Sequence, residues 1–165
     1  MKRFTLQHEL DCTREEMWHA FLSTPDIERL YKELEFPKYR VIALNDTPTL
    51  LTRRAEAVPK LNLPGPVAKI LGANFGYTEE GTFDKAAEVW RFTMTPTTLA
   101  DKLRHVGSMR VNDIGPGKVC RVVDLELEAS VFGLGGLIEA ALEKQLRDVW
   151  DKSAVATNTF FRKQR

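Results

Sequence analysis

The C-terminal segment of the chain places the strongest constraint on the fold. From about Leu137 to Phe161 the apolar residues recur with the 3.6-residue period of an amphipathic helix. At ~1.5 Å per residue this helix would be roughly 37 Å long, which is the width of a whole domain of this size. Its apolar stripe, which includes Leu142, Leu146 and Trp150, must therefore be buried against a surface of similar length.

The residues before this helix supply such a surface, because most of them alternate apolar and polar side chains. Phe4, Leu6, His8 and Leu10, for example, share one face of the first predicted strand. Short turns connect most of the later strands, which indicates antiparallel hairpins. The pattern predicts seven strands, over Arg3–Asp11, Tyr39–Leu44, Thr49–Val58, Phe75–Asp84, Glu88–Thr95, Lys102–Asp113 and Val119–Ala129.

Two short helices are predicted between the first and second strands. Thr13 and Glu16 have the spacing of a capping box, and Thr24 with Pro25 is typical of a second helix start. The expected architecture is α+β, a single domain over residues 1–165. A seven-stranded curved antiparallel sheet wraps around the long C-terminal helix, and the two short helices lie between strands 1 and 2.

Charge and cysteine content exclude several classes of function. The 24 Lys and Arg against 23 Asp and Glu leave a net charge of +1, so we expect no nucleic-acid partner. Cys12 and Cys120 have no CxxC partner and only three histidines occur, so no metal site is predicted. Ile138 stands where a dinucleotide-binding motif beginning at Gly133 needs its third glycine, so no cofactor is expected. Without a long apolar run at its N-terminus, the chain is expected to be cytoplasmic.

Three segments resemble a known superfamily. They are HELDCTREEMWHAFLSTPDIERLY after the first strand begins, NFGYTEEGTF near mid-chain, and LGGLIEAALEKQLRDVW in the terminal helix. The sequence resembles the START-like (SRPBCC) superfamily of helix-grip domains, which includes polyketide cyclases, and NFGYTEEGTF is most similar to an uncharacterised bacterial branch. This resemblance implies a cavity between sheet and helix that takes a lipid or another hydrophobic small molecule.

Polar residues on the inward faces of the strands are candidates for ligand recognition. The alternation places Glu79, His105 and Arg121 on those faces, together with either Arg53 or Arg54, which it does not distinguish. An inward carboxylate without a partner is costly, so Glu79 should pair with an inward arginine or with His105.

The predicted ligand site combines these polar groups with the inward apolar residues. His8 is expected to be a packed residue or one at the rim of the sheet. Gln145 and Ser153 interrupt the helical stripe and are further candidates for polar contacts. The connection Lys60–Leu71 is expected either to act as a lid or to pack over the end of the sheet. The expected lining residues are Phe75, Tyr77, Trp90, Phe92, Met109, Leu142 and Trp150, with Glu79, His105 and Arg121 as polar anchors.

Three functions remain open at this point. The leading hypothesis is a non-enzymatic carrier, transfer protein or sensor for a hydrophobic molecule, with at most transient membrane contact. The second is a cyclase-type or hydrolase-type enzyme in which His105 or Glu79 acts as general acid or base, although no catalytic residue is assigned. The third is a ligand-free interaction module. The sequence does not choose between monomer and homodimer.

Overall fold

The computed structural model describes residues 1–165. Seven strands and four helices lie along the chain in the predicted order. One of the four helices is the short α3, which lies in the connection before β4. The strands are β1 (Lys2–Leu10), β2 (Lys38–Asp46), β3 (Leu50–Val58), β4 (Tyr77–Asp84), β5 (Val89–Pro96), β6 (Leu103–Gly115) and β7 (Lys118–Ala129). The helices are α1 (Arg14–Leu22), α2 (Thr24–Glu33), α3 (Gly65–Leu71) and α4 (Gly135–Lys163).

All seven strands belong to one curved antiparallel sheet, in the order β1-β7-β6-β5-β4-β3-β2. Each neighbouring pair from β2 to β7 is consecutive in the chain, whereas β1 pairs with the distant β7. In that register His8 lies directly opposite Arg121, and Leu6 lies opposite Val123. The predicted α+β architecture is confirmed.

The hydrophobic core lies on the sheet face that α4 covers. Inward residues of β5 and β7 are buried there, while their neighbours in sequence, such as Arg91 and Thr93, face solvent. Helix α1 adds Met17 and Trp18 to the same core. No helix of the structure is both long enough and apolar enough to cross a membrane.

Several predicted boundaries shift by one or two residues. Helix α4 begins before Leu137 and continues past Phe161, and Phe75 lies just outside β4. The capping box of α1 is confirmed, since the Thr13 hydroxyl accepts from the backbone N–H of Glu16 at 3.1 Å. The predicted cap of α2 was one residue late. Ser23 caps this helix, and Thr24 is its first residue.

The turn from β7 into α4 depends on glycine. Gly133 adopts a φ of +73°, a conformation that L residues with a side chain rarely adopt. A Cβ atom on Gly135 would lie 2.4 Å from the carbonyl oxygen of Ala129, so only glycine allows this close approach. Helix α4 therefore starts directly against the end of β7.

Candidate functional site

A cavity of about 120 Å³ lies between the sheet and α4. Residues of α2 and of the end of α1 complete its wall. Sixteen of its 22 lining residues are hydrophobic. Met94, Leu103 and Leu127 contribute from the sheet, and Leu30 contributes from α2. The long apolar stripe of α4 is thus only partly used for packing, and the rest of it borders empty space.

Six of the residues predicted to line the cavity do so. Two of them, His105 and Arg121, are polar side chains that the sheet presents to an otherwise mostly apolar wall. Gln145 and Ser153, the interruptions of the α4 stripe, also lie in the wall. The six residues are Phe75, Tyr77, His105, Arg121, Leu142 and Trp150.

Trp90, Phe92 and Met109 lie in the packed core and do not line the cavity, contrary to the sequence-based expectation. Two glycines explain the position of the two aromatic rings. A Cβ on Gly81 would lie 1.9 Å from the Trp90 indole, and a Cβ on Gly107 would lie 2.5 Å from the Phe92 ring. Because these glycines have no side chain, each ring packs directly against the backbone of the neighbouring strand and fills the core there.

Glu79 is also buried away from the cavity wall, where it forms an ion pair with Arg53. Its Oε1 lies 3.7 Å from Nη2 of Arg53, and both side chains are almost completely buried. Arg53 is thus the inward arginine, while Arg54 pairs with Glu80 on the exposed face. The predicted pairing of Glu79 with an inward arginine is confirmed. Burial raises the pKa of Glu79, and Arg53 opposes this effect.

Arg53 has further partners in the core. Its Nη1 donates a hydrogen bond to the carbonyl of Phe21 at 2.6 Å. The guanidinium carbon also lies 4.7 Å from the ring centroids of Phe21 and Trp90, within cation–π range. This charge is held by a carboxylate, a carbonyl and two aromatic faces.

Arg121 on β7 is equally buried but differs in its partners. Its Nη2 donates to Nδ1 of His8 at 3.1 Å and to the carbonyl of Trp150 at 3.0 Å. The guanidinium carbon lies 4.9 Å from the ring centroid of Trp150, and Nε has no hydrogen-bond partner. Burial lowers the pKa of Arg121 to about 10, so it remains a cation at neutral pH.

His8 connects this buried cation to the surface. Because Nδ1 faces an arginine donor, it must be the acceptor, and Nε2 then donates to Asp151 Oδ1 at 2.7 Å. Burial lowers the pKa of His8, in agreement with a neutral ring. The sequence placed His8 on the inward face but not beside Arg121, since alternation defines the face and not the register of β1 on β7.

His105 on β6 is the second polar group of the cavity wall. Its Nε2 is buried without a hydrogen-bond partner, and its ring contacts Phe92 edge to face, with the ring centroids 6.1 Å apart. Burial lowers the pKa of His105 to about 4. The Nε2 of a neutral imidazole can donate or accept one hydrogen bond, depending on the tautomer, and a molecule in the cavity could be its partner.

The connection between β3 and β4 both lines the cavity and packs over the sheet end. Leu61 reaches the cavity, and the neighbouring Asn62 is held to α4 by two hydrogen bonds with Gln145, of 2.7 and 3.3 Å. Farther along, Val67 and Leu71 are fully buried in a second, smaller core. No group of three His, Cys, Asp or Glu side chains is placed to hold a metal ion.

Known structures share this architecture. The protein TTHA0849 from Thermus thermophilus is 17% identical with a TM-score of 0.69, covering 96% of this chain and 95% of its own. A START superfamily protein from Mycobacterium smegmatis is 12% identical with a TM-score of 0.64, covering 96% and 98%. The Zhui aromatase/cyclase from a Streptomyces species is 12% identical with a TM-score of 0.66, covering 99% and 96%.

The fold is therefore the START-like helix-grip fold, as the sequence resemblance predicted. Within this class, residues 5–160 match the model of a family described as a protein of unknown function (DUF2505), and the chain belongs to that family. No curated protein matches the sequence.

Proposed function

We propose that this protein binds a hydrophobic small molecule in the cavity between the sheet and α4, as a carrier, transfer protein or sensor. The cavity itself carries this proposal. Protein interiors are close-packed, and an apolar cavity of this size is a site where an apolar guest replaces lost van der Waals contacts. Burial of the guest would supply most of the affinity, and the few polar groups in the wall would orient it.

The size of the cavity favours a compact ligand. Its volume of about 120 Å³ is close to the ~150 Å³ of an engineered apolar cavity that binds benzene. One aromatic ring or a short alkyl chain fits this space. A two-chain lipid would require α2 or the segment around Leu61 to move outward.

Native mass spectrometry of the purified protein, compared with its denatured mass, tests this proposal. We expect a stoichiometric adduct, which solvent extraction then releases for identification. The control is Leu146→Trp, which fills the cavity from α4 and should remove the adduct while the fold persists. An adduct that survives in this variant, or a wild-type protein that binds no compact apolar probe, would contradict the proposal.

A second candidate is an enzyme of the cyclase or hydrolase type. It is supported by the unpartnered Nε2 of His105 in the cavity wall, where the imidazole would act as general acid or base on a bound substrate. The expected result for His105→Gln is then retained binding of the extracted molecule with loss of its conversion, measured by chromatography and mass spectrometry. Conversion at the wild-type rate would exclude this role of His105. A ligand-free interaction module, the third hypothesis, gives no reason for the cavity.

A further inference from the structure

Arg121 is a buried cation without a carboxylate partner. The residue is 3% exposed, and its two hydrogen bonds go to the neutral ring of His8 and to a backbone carbonyl. The carboxylate of Asp151 reaches it only through His8, at the surface end of that chain of contacts. An isolated charge in the interior is costly, and it is normally balanced by an opposite charge.

Several N–H donors of Arg121 also have no acceptor. A guanidinium has five N–H donors in a planar fork. Both hydrogen bonds leave from Nη2, and the buried Nε has none. The N–H groups of Nε and Nη1 remain unused, and a carboxylate oxygen is the acceptor that forms the strongest hydrogen bond with such a charged donor.

Arg121 lies at one end of the cavity. His105 is opposite Leu127 in the β6–β7 register, and Leu127 is six residues along β7 from Arg121, or about 20 Å. Apolar side chains such as Leu146 and Val149 line the space along α4. A second cavity of about 40 Å³, bounded by α1, α2 and α4, also has Arg121 in its wall.

We propose that Arg121 binds the carboxylate of the ligand, so that the cavity accepts a compact aryl or acyl carboxylate with its acid at β7 and its apolar part along α4. His8, whose Nδ1 accepts a hydrogen bond from Nη2, is a positioning residue for this cation. The inference rests on the proposed function, since it names the class of molecule that the cavity would take.

Isothermal titration calorimetry with three probes of matched shape tests this assignment. The probes are 3-phenylpropanoate, 3-phenylpropan-1-ol and 3-phenylpropan-1-amine, which differ in their polar end. We expect the wild-type protein to bind the carboxylate about 10- to 100-fold more tightly than the alcohol, the usual value of a hydrogen bond to a charged group. The amine should bind most weakly.

Arg121→Met should abolish this preference while the alcohol still binds within about threefold of its wild-type affinity, since the apolar wall is unchanged. Arg121→Lys, which keeps the charge but not the planar fork, should retain part of the preference. The matched control is Arg54→Met on the exposed face of the same sheet, which should bind all three probes as the wild type does. Circular dichroism establishes that each variant is folded.

A measurement on the wild-type protein alone makes the test independent of any variant. The carboxyl carbon of ¹³C-labelled 3-phenylpropanoate, followed by NMR, should titrate at lower pH when bound than when free, because a cation stabilises the ionised form. Equal affinity for acid and alcohol, or a preference that persists in Arg121→Met, would overturn the carboxylate assignment and leave cavity binding intact. If none of the three probes binds, the proposed function fails together with the assignment.

Discussion

The structure holds two buried arginine side chains, Arg53 and Arg121, and compensates their charges in different ways. Both residues are 3% exposed, both lie on the inward face of the sheet, and the guanidinium of each lies over a tryptophan ring. Arg53 lies beside the buried carboxylate of Glu79, outside the wall of the apolar cavity. Arg121 has only a neutral imidazole and a carbonyl, and it borders that cavity.

The two arginines therefore differ in what their removal leaves behind in the core. Removal of one member of a buried ion pair leaves the other charge uncompensated, so the Arg53–Glu79 pair is fixed by the fold. Nothing charged is left behind when Arg121 is removed, because its partners are neutral. Burial alone therefore does not indicate function, and the proposal for Arg121 rests on the adjoining cavity and on the missing counter-charge.

The largest expected effect is the loss of Arg53. Arg53→Met leaves Glu79 without its cation and removes the hydrogen bond to Phe21, so we expect the free energy of unfolding in urea to fall by about 3–5 kcal/mol. The adjacent Arg54→Met removes only an exposed ion pair and should change it by less than about 1 kcal/mol. Equal losses in the two variants would show that the buried pair has no special role.

The next effect concerns pH and the cavity wall. The pKa of His105 is about 4 in the folded protein and about 6.5 in an unfolded chain. The unfolded state therefore takes up the proton first, so stability is fully present above pH 6.5 and falls as the pH approaches 4, by roughly 3 kcal/mol in total. In urea unfolding measured at a series of pH values, His105→Leu should remove this fall in the free energy of unfolding. The control, His19→Gln on the exposed face of α1, should leave the fall unchanged.

A smaller effect on stability is expected for Arg121→Met. Replacement of a buried cation by an apolar side chain of similar length should change the free energy of unfolding by no more than about 1 kcal/mol, because no carboxylate loses its partner. The carbonyl of Trp150 still accepts a hydrogen bond from Ser153 at 2.7 Å. If thermal and urea unfolding show a loss as large as that of Arg53→Met, the contrast between the two regions is not valid.

The smallest effect should come from Asp151, at the surface end of the contacts of Arg121. Its side chain is 69% exposed, so Asp151→Asn should alter the free energy of unfolding by less than about 0.5 kcal/mol. The asparagine can still accept a hydrogen bond from His8. A larger loss in urea unfolding would show that this carboxylate is the true counter-ion of Arg121.

The sequence was sufficient for the architecture because strand alternation and helical periodicity are local signals. It could not choose between Arg53 and Arg54, since adjacent residues face opposite sides and either choice leaves an arginine inside. The cavity wall was predicted only in part. Trp90 and Phe92 were assigned to it because alternation does not show that Gly81 and Gly107 leave room for these rings in the core. An isolated glycine within a strand, on an otherwise apolar face, was the available signal.

The periodicity of the sequence does not predict that His8 lies beside Arg121, because it gives no information on which strands pair or in which register. The two residues meet through the β1–β7 register, across more than a hundred residues of intervening chain. The same limit applies to Gln145 and Asn62, whose hydrogen bonds join α4 to the β3–β4 connection. Alternation thus predicts which face of the sheet a side chain occupies, but it does not predict which side chains meet through a long-range strand register.

The pairing of β1 with β7 has a consequence for the order in which the molecule assembles. Strands β2 to β7 can form as successive hairpins, but β1 must wait until β7 has been synthesised and ordered, because closing so long a loop costs more entropy than closing a hairpin. The pocket for the guanidinium is thus completed late, and detachment of β1 would open it first. Hydrogen exchange of the β1 amides should accordingly slow when a carboxylate is bound, which makes the first strand of the chain the reporter of occupancy.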